Sequence, residues 1–173
     1  MSPFSSNAIG VLEQARQLAP KDPDPVMLLA SMLADAGRNS EAEADYRRVL
    51  ELRPDNPFVL NSIAFVLAEK GGNMDEALRL AQRALEKVPG HPAITDTLGW
   101  IYLKKGMKDS AVQTFSNLVR KEPQNPTYRY HFAMALLEKG DQQGAKSEVK
   151  NALASRPVPE MEEKIKALAN KIG

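Results

Sequence analysis

The stretch DTLGWIYLKKGMKDSAVQTFSNLVRKEPQN, Asp96–Asn125, carries two apolar stripes, a glycine between them and a proline near its end. Leu98 and Tyr102 stand one helical turn apart. Ala111, Phe115, Leu118 and Val119 follow at the same kind of spacing. Intervals of three and four residues place side chains on one helical face. Gly106, between the stripes, suits a left-handed residue after a helix end, and Pro123 cannot continue an amide ladder. The stretch reads as helix, turn, helix. It also holds Trp100, the only tryptophan of the chain, beside Gly99.

The same frame recurs outward in both directions. Prolines stand at 54, 89, 123 and 157, glycines at 37, 71, 106 and 140, and alanines at 42, 77, 111 and 145. One extra residue lies between Gly71 and Ala77. Self-similarity at a stride of 20 to 50 residues is the signature of a solenoid. The first-helix pairs are Leu29/Leu33, Ile63/Leu67, Leu98/Tyr102 and Phe132/Leu136. A small residue follows the first member of each pair: Ala30, Ala64, Gly99 and Ala133. Small side chains let helix axes approach, which accounts for a helical glycine despite its propensity cost of about 1 kcal/mol. The second helices carry Ala42/Tyr46/Val49/Leu50 and its counterparts. The joints read Asp22-Pro23, Asn56-Pro57, His91-Pro92 and Asn125-Pro126, with Asp and Asn as N-caps and proline at the first helical position. His91 is the poorer cap of the four and reads as a linker residue.

With LGWIYLKKG, SAVQTF and LVRKEPQN, and the matching SIAFVLAEKGG, EALRLAQRALEKVPG and FAMALLEKG, the chain resembles the tetratricopeptide repeat family. The resemblance covers residues 23 to about 157. It implies an all-α, right-handed superhelical α-solenoid of helix-turn-helix repeats. Trp100 is not at the family's early tryptophan position, which Val26, Leu60, Thr95 and Arg129 occupy. The phrasing around EKGGN and DTLGW further resembles the C-terminal repeats of large bacterial members linked to exopolysaccharide or envelope systems.

One domain over 1–173 is expected, with repeats at 23–56, 57–91, 92–125 and 126–157. Residues 5–20 fit only the second helix of a half repeat, with Ala8, Leu12, Ala15 and Pro20 in the slots of Ala42, Tyr46, Val49 and Pro54. That orphan helix is either the trace of excision from a longer array or a natural edge able to pair with another chain. Residues 159–172 read as a C-terminal capping helix with Met161, Ile165, Leu168 and Ile172 inward. Its acidic first turn and Lys171 complement the helix dipole.

First helices line the inside of such a superhelix. Offset from the core stripe, a second stripe points to a protein-binding groove: Met27, Ser31, Phe58, Asn61, Phe65, Asp96, Trp100, Leu103, Tyr130, His131 and Met134. The related positions Ala34, Ala68 and Leu137 extend it, and Thr97 and Lys104 join as polar handles. Trp100 has two open readings: packing against the next repeat, or contact with a ligand. Aromatic and methionine side chains together make an adaptable lining for a partner's helix or extended segment. The carboxylate clamp of some family members needs basic and amide side chains, and Met27 and Ser31 stand in their place.

Lys and Arg total 23 against 22 Asp and Glu, so no broad basic footprint marks a nucleic-acid binder. There is no cysteine and no apolar run long enough to span a bilayer. The polar start MSPFSSNAIG is not a signal peptide. The expected location is cytoplasmic for a complete chain, and periplasmic or envelope-associated for an excised one. No metalloprotease, hydrolase or phosphate-loop motif accompanies the two histidines, and Gly71-Gly72-Asn73 reads as a longer turn. His131 and Asp96 are expected to meet across neighbouring first helices, as a structural pair rather than a catalytic one. The expectation is a noncatalytic scaffold for a protein or peptide partner, with no cofactor. The alternative is a self-associating module that forms homo-oligomers through the groove or the orphan helix.

Overall fold

The computed structural model describes residues 3–19 and 21–173. Pro20, placed by sequence in a repeat-closing slot, lies outside the described residues. Ten helices follow one another: α1 (Pro3–Leu18), α2 (Pro23–Asp35), α3 (Asn39–Leu52), α4 (Pro57–Glu69), α5 (Met74–Lys87), α6 (Pro92–Lys104), α7 (Lys108–Lys121), α8 (Pro126–Lys139), α9 (Gln142–Ala154) and α10 (Pro159–Ile172). No strand occurs among the described residues. The fold class is all-α, a solenoid-type run of helix pairs.

The punctuation works as its chemistry requires. Asp22, Asn56 and Asn125 each cap a following helix by accepting backbone N–H groups, and proline opens each of those helices. Gly37, Gly71, Gly106 and Gly140, between the helices of a pair, all have positive φ (74°, 68°, 71° and 94°). An L side chain is strained there, so glycine is the residue of choice. The insertion at Gly71-Gly72-Asn73 is a turn whose Asn73 caps α5 through Asp75 N and Glu76 N.

Contacts divide the chain into two compact units, residues 1–94 and 95–173. In unit 1, Val26, Leu29, Ala30, Val49, Leu60, Ile63 and Ala64 are fully or almost fully buried. Leu60, Ala84 and Ile94 form a further apolar cluster. Each such branched side chain adds about 1.5–3 kcal/mol on burial. Helix α1 packs on α2 and sinks Ile9 into unit 1, while Ala8, Leu12 and Ala15 are half-buried. Its Arg16 reaches the buried Asp45 of α3, with Nη1 at 2.7 and 3.0 Å from the two carboxylate oxygens. Spacing alone did not disclose that pair, whose members are 29 residues apart.

Unit 2 has two apolar clusters. Ala111, Phe115, Leu118, Val119, Tyr128 and Ala135 make one. Ala133, Leu136, Ala145, Val149, Ala152, Ile165, Leu168 and Ile172 make the other, so α10 seals α8 and α9 through the residues its periodicity indicates. The outward side of α10 carries Lys164–Glu160 and Lys166–Glu162 pairs.

Candidate functional site

Unit 1 contains a cleft of about 300 Å³ between α2 and α4, floored by α3. Met27, Leu28 and Ser31 line it from α2, Tyr46 from α3, and Phe58, Val59 and Ser62 from α4. None of these is charged. The Tyr46 side chain is buried, and its hydroxyl is hydrogen-bonded with Ser31 and Ser62. Burial pushes its pKa above that of a free phenol, the serine bonds oppose this only in part, and the ring stays neutral. Leu28, Phe58 and Phe65 are 54%, 53% and 42% exposed, far above what core residues show. The Phe58 ring is held edge-on by His91, with centroids 5.3 Å apart.

The corresponding place in unit 2 holds larger side chains. A constant offset of 69 residues relates the two: Ser31 to Trp100, Tyr46 to Phe115, Ser62 to His131. His131 Nδ1 lies 2.8 Å from Asp96 Oδ1. The imidazole stacks against Trp100 at 5.0 Å, Phe115 at 5.6 Å and Tyr130 at 5.6 Å. Lys104 Nζ sits 4.8 Å from the Trp100 ring centroid, a cation–π contact. Phe115 is fully buried below. Against it lies Gly99, where a Cβ would come within 2.8 Å of the Phe115 ring. That contact is the reason for a glycine beside the tryptophan.

Among known proteins, the model of the tetratricopeptide repeat family matches residues 6–156. The chain belongs to the tetratricopeptide repeat family. Cellulose synthase operon protein C of Pseudomonas fluorescens is 29% identical over 161 residues, covering 88% of this chain and 12% of that protein. A TPR repeat-containing protein of Pseudomonas aeruginosa is 32% identical over 94 residues, 54% of this chain and 16% of its own length. The chain thus spans only a small part of these curated relatives. A tetratricopeptide repeat protein from Parabacteroides merdae has the same fold, with a TM-score of 0.86 at 16% identity, over 98% of this chain and 64% of that one.

Within the family frame, the sequence-assigned groove residues fall into two groups. In unit 1, Ser31, Phe58 and Phe65 are exposed and Met27 is half-buried at the cleft. Asn61 is half-buried and turns its amide oxygen inward, where it is buried without a hydrogen-bond partner. In unit 2, Asp96, Trp100, Tyr130, His131 and Met134 are half-buried, and Leu103 packs on the core with Tyr102. Two further expectations need correction. Thr97 is 5% exposed and Ala68 is 1% exposed, because both lie on the part of the helix turned to the core. Leu28, Tyr46 and Ser62 were not assigned from sequence. Leu28 is adjacent to the chosen stripe, and Tyr46 belongs by spacing to the core stripe of α3, although its hydroxyl also serves the cleft.

His131 is thus held by its hydrogen bond to Asp96 and by contact with three aromatic rings. Among the described residues no three His, Asp or Glu side chains converge as metal ligands. Among them, also, no helix is long and apolar enough to cross a membrane. A second cleft, of about 320 Å³, opens between α9 and α10 over Val149, Leu153, Ala169 and Ile172, with Lys146 and Lys150 at its rim.

Proposed function

We propose that this tetratricopeptide chain is a noncatalytic protein-binding module, and that it holds a partner's segment against the α2–α4 face. The observation that carries the reading is an uncharged cleft with the exposed Leu28 and Phe58 in its lining, and the exposed Phe65 two turns beyond Phe58 on α4. Side chains of this size gain free energy by leaving water, and a contiguous exposed group of them marks an interaction surface. A preformed cleft lowers the ordering cost of binding. Trp100 belongs, in this reading, to the packing of unit 2, and the anchor position is in unit 1.

The test is a displayed-peptide selection on the immobilised chain, followed by calorimetric titration of the selected sequences. Phe58→Ala and Phe65→Ala, both at exposed positions, are expected to leave folding intact. Removing an anchor contact worth about 2 kcal/mol weakens binding roughly 30-fold. Failure to select any peptide, or affinities indifferent to both substitutions, would refute the reading.

A second reading, self-association, is favoured by Val11 and Leu18 of α1, which are 58% and 86% exposed. Sedimentation that gives a monomer throughout the micromolar range would exclude it. The likeness to cellulose synthase operon protein C supports a narrower placement, as part of a bacterial envelope polysaccharide system. Fractionation of cells that express the full-length protein tests this, and recovery in the cytosol alone would overturn it.

A further inference from the structure

We infer that the unit 1 cleft is a socket for one aromatic side chain of the partner, and that unit 2 carries the internal model of its filled state. The inference rests on the binding reading above and specifies the anchor. At the 69-residue offset, the serines of unit 1 stand where unit 2 has an indole and an imidazole. Ser31 corresponds to Trp100 and Ser62 to His131. Both slots have an aromatic floor, Tyr46 in one and Phe115 in the other. In unit 2 the two rings pack against each other in a tilted pair, and the imidazole also packs against Phe115. In unit 1 the small serines leave about 300 Å³ over the Tyr46 ring.

The polar demand of the socket is already met. The Tyr46 hydroxyl hydrogen-bonds with both Ser31 and Ser62, so an occupant does not have to supply a donor or a charge. A planar ring can lie on the Tyr46 face with the Phe58 ring at its edge, in the offset and edge-on arrangements aromatic pairs prefer. Met27 is a polarizable wall that adapts to such a ring. A branched aliphatic side chain reaches the same place but gains no ring stacking. The occupant is therefore a segment that presents an exposed tryptophan or a similar ring.

N-Acetyl-tryptophanamide is the probe, with N-acetyl-leucinamide as its control. Both are titrated into the ¹⁵N-labelled chain. The expected result is saturable amide shifts at Ser31, Tyr46 and Ser62, with a dissociation constant of about 1 mM and roughly five-fold weaker binding of the leucine probe. Ser31→Trp with Ser62→His should fill the socket and abolish the shifts. In unit 2 the floor ring lies in close contact with Gly99, and the equivalent residue of unit 1 is Ala30. The filling pair is therefore made together with Ala30→Gly, and circular dichroism confirms that it folds. In the reverse direction, Trp100→Ser with His131→Ser should open a second saturable site above Phe115.

Shifts absent at the three residues, equal or tighter binding of the leucine probe, or unchanged binding to the folded, filled variant would each overturn the inference. The outcome separates from that of the broader reading. Selected peptides that bind the α2–α4 face without an aromatic anchor would sink the socket and leave the module standing. Probe binding with no selectable peptide would do the reverse.

Discussion

Replacing Gly99 by alanine adds one methyl group between α6 and the fully buried Phe115 ring. The new Cβ would lie 2.8 Å from both Cε1 and Cζ of that ring, and 3.1 Å from the Thr114 methyl. Two effects oppose each other. Alanine is the better helix former by about 1 kcal/mol. Overpacking a filled core costs about 1–3 kcal/mol, and the upper part of that range applies where neighbours cannot give way. Phe115 has little freedom to withdraw, because His131 stacks on it at 5.6 Å. The net expectation is a loss of about 1–2 kcal/mol, or roughly 3–6 °C in melting temperature for a chain of this size. Urea unfolding followed by circular dichroism measures it. Phe115→Leu in the same chain supplies the control. If the ring is the obstacle, the cost of Gly99→Ala should shrink in the Phe115→Leu background, a coupling that a double-mutant cycle reads directly. Gly99→Leu, with a longer side chain in the same place, should cost several times more. A Gly99→Ala chain as stable as the parent, or more so, would refute the close-approach account of this glycine and of the tryptophan slot beside it.

Three other perturbations follow from ion pairs and backbone strain. Arg16→Ala leaves the 6% exposed Asp45 carboxylate without its cation, and should cost about 2 kcal/mol in urea unfolding; adding Asp45→Ala should recover part of it, because the buried charge is then gone too. Burial acts most strongly on Glu43 and pulls its pKa upward, yet the hydrogen bonds from Lys70 and Arg47 together outweigh it and hold the pKa below the usual 4.5. Its contribution is thus present above the unfolded pKa and is lost as pH falls through the lower folded value, so Glu43→Gln should flatten the melting temperature between about pH 5 and pH 3. Asp55 holds φ at 67°, where the next joint has Gly90 at 72°, and is paired with Arg83 and Lys87. Asp55→Gly should be nearly neutral, since relief of about 1 kcal/mol of strain offsets the loss of exposed pairs; Asp55→Ala, which loses the pairs and keeps the strain, should melt lower than Asp55→Gly.

The parts of the fold legible in the sequence are those set by local physics. Proline after Asp or Asn, glycine at positive φ and stripes at three- and four-residue spacing each act within one or two turns of the chain. They place the helices and most of the core directly. The capping stripe of α10 was legible for the same reason. The Arg16–Asp45 pair was not, because two polar residues far apart in sequence give no periodic signal. Among the described side chains of α1 Ile9 is buried, while its neighbour Ala8, in the slot of the buried Ala42, is half-buried. A shift of one position is enough to move a side chain across the burial boundary. Thr97 failed as a handle for a related reason. A residue one position from an exposed stripe can lie on either side of the burial boundary, and composition does not say which.

The candidate site was half legible, and the missing half explains what the tryptophan does. Large side chains announce themselves in a sequence, so Trp100, Phe65 and Tyr130 drew the binding reading. A cleft is made by what is small. Ser31 and Ser62 carry no signal by themselves, and their meaning comes only from comparison with Trp100 and His131 at the same register. His131 packs against the Phe115 ring, and a Cβ at position 99 of α6 would come within 2.8 Å of the same ring. Where serines stand in place of Trp100 and His131, alanine is accommodated at the equivalent Ala30, fully buried though it is. One backbone frame thus supports two states of a slot, filled from within or open from without. Beside the floor ring the two slots differ, with Gly99 in unit 2 and Ala30 in unit 1. An array of such repeats can therefore place an anchor socket at one position and deny it at another by exchanging three side chains, with no change in the helices that carry them.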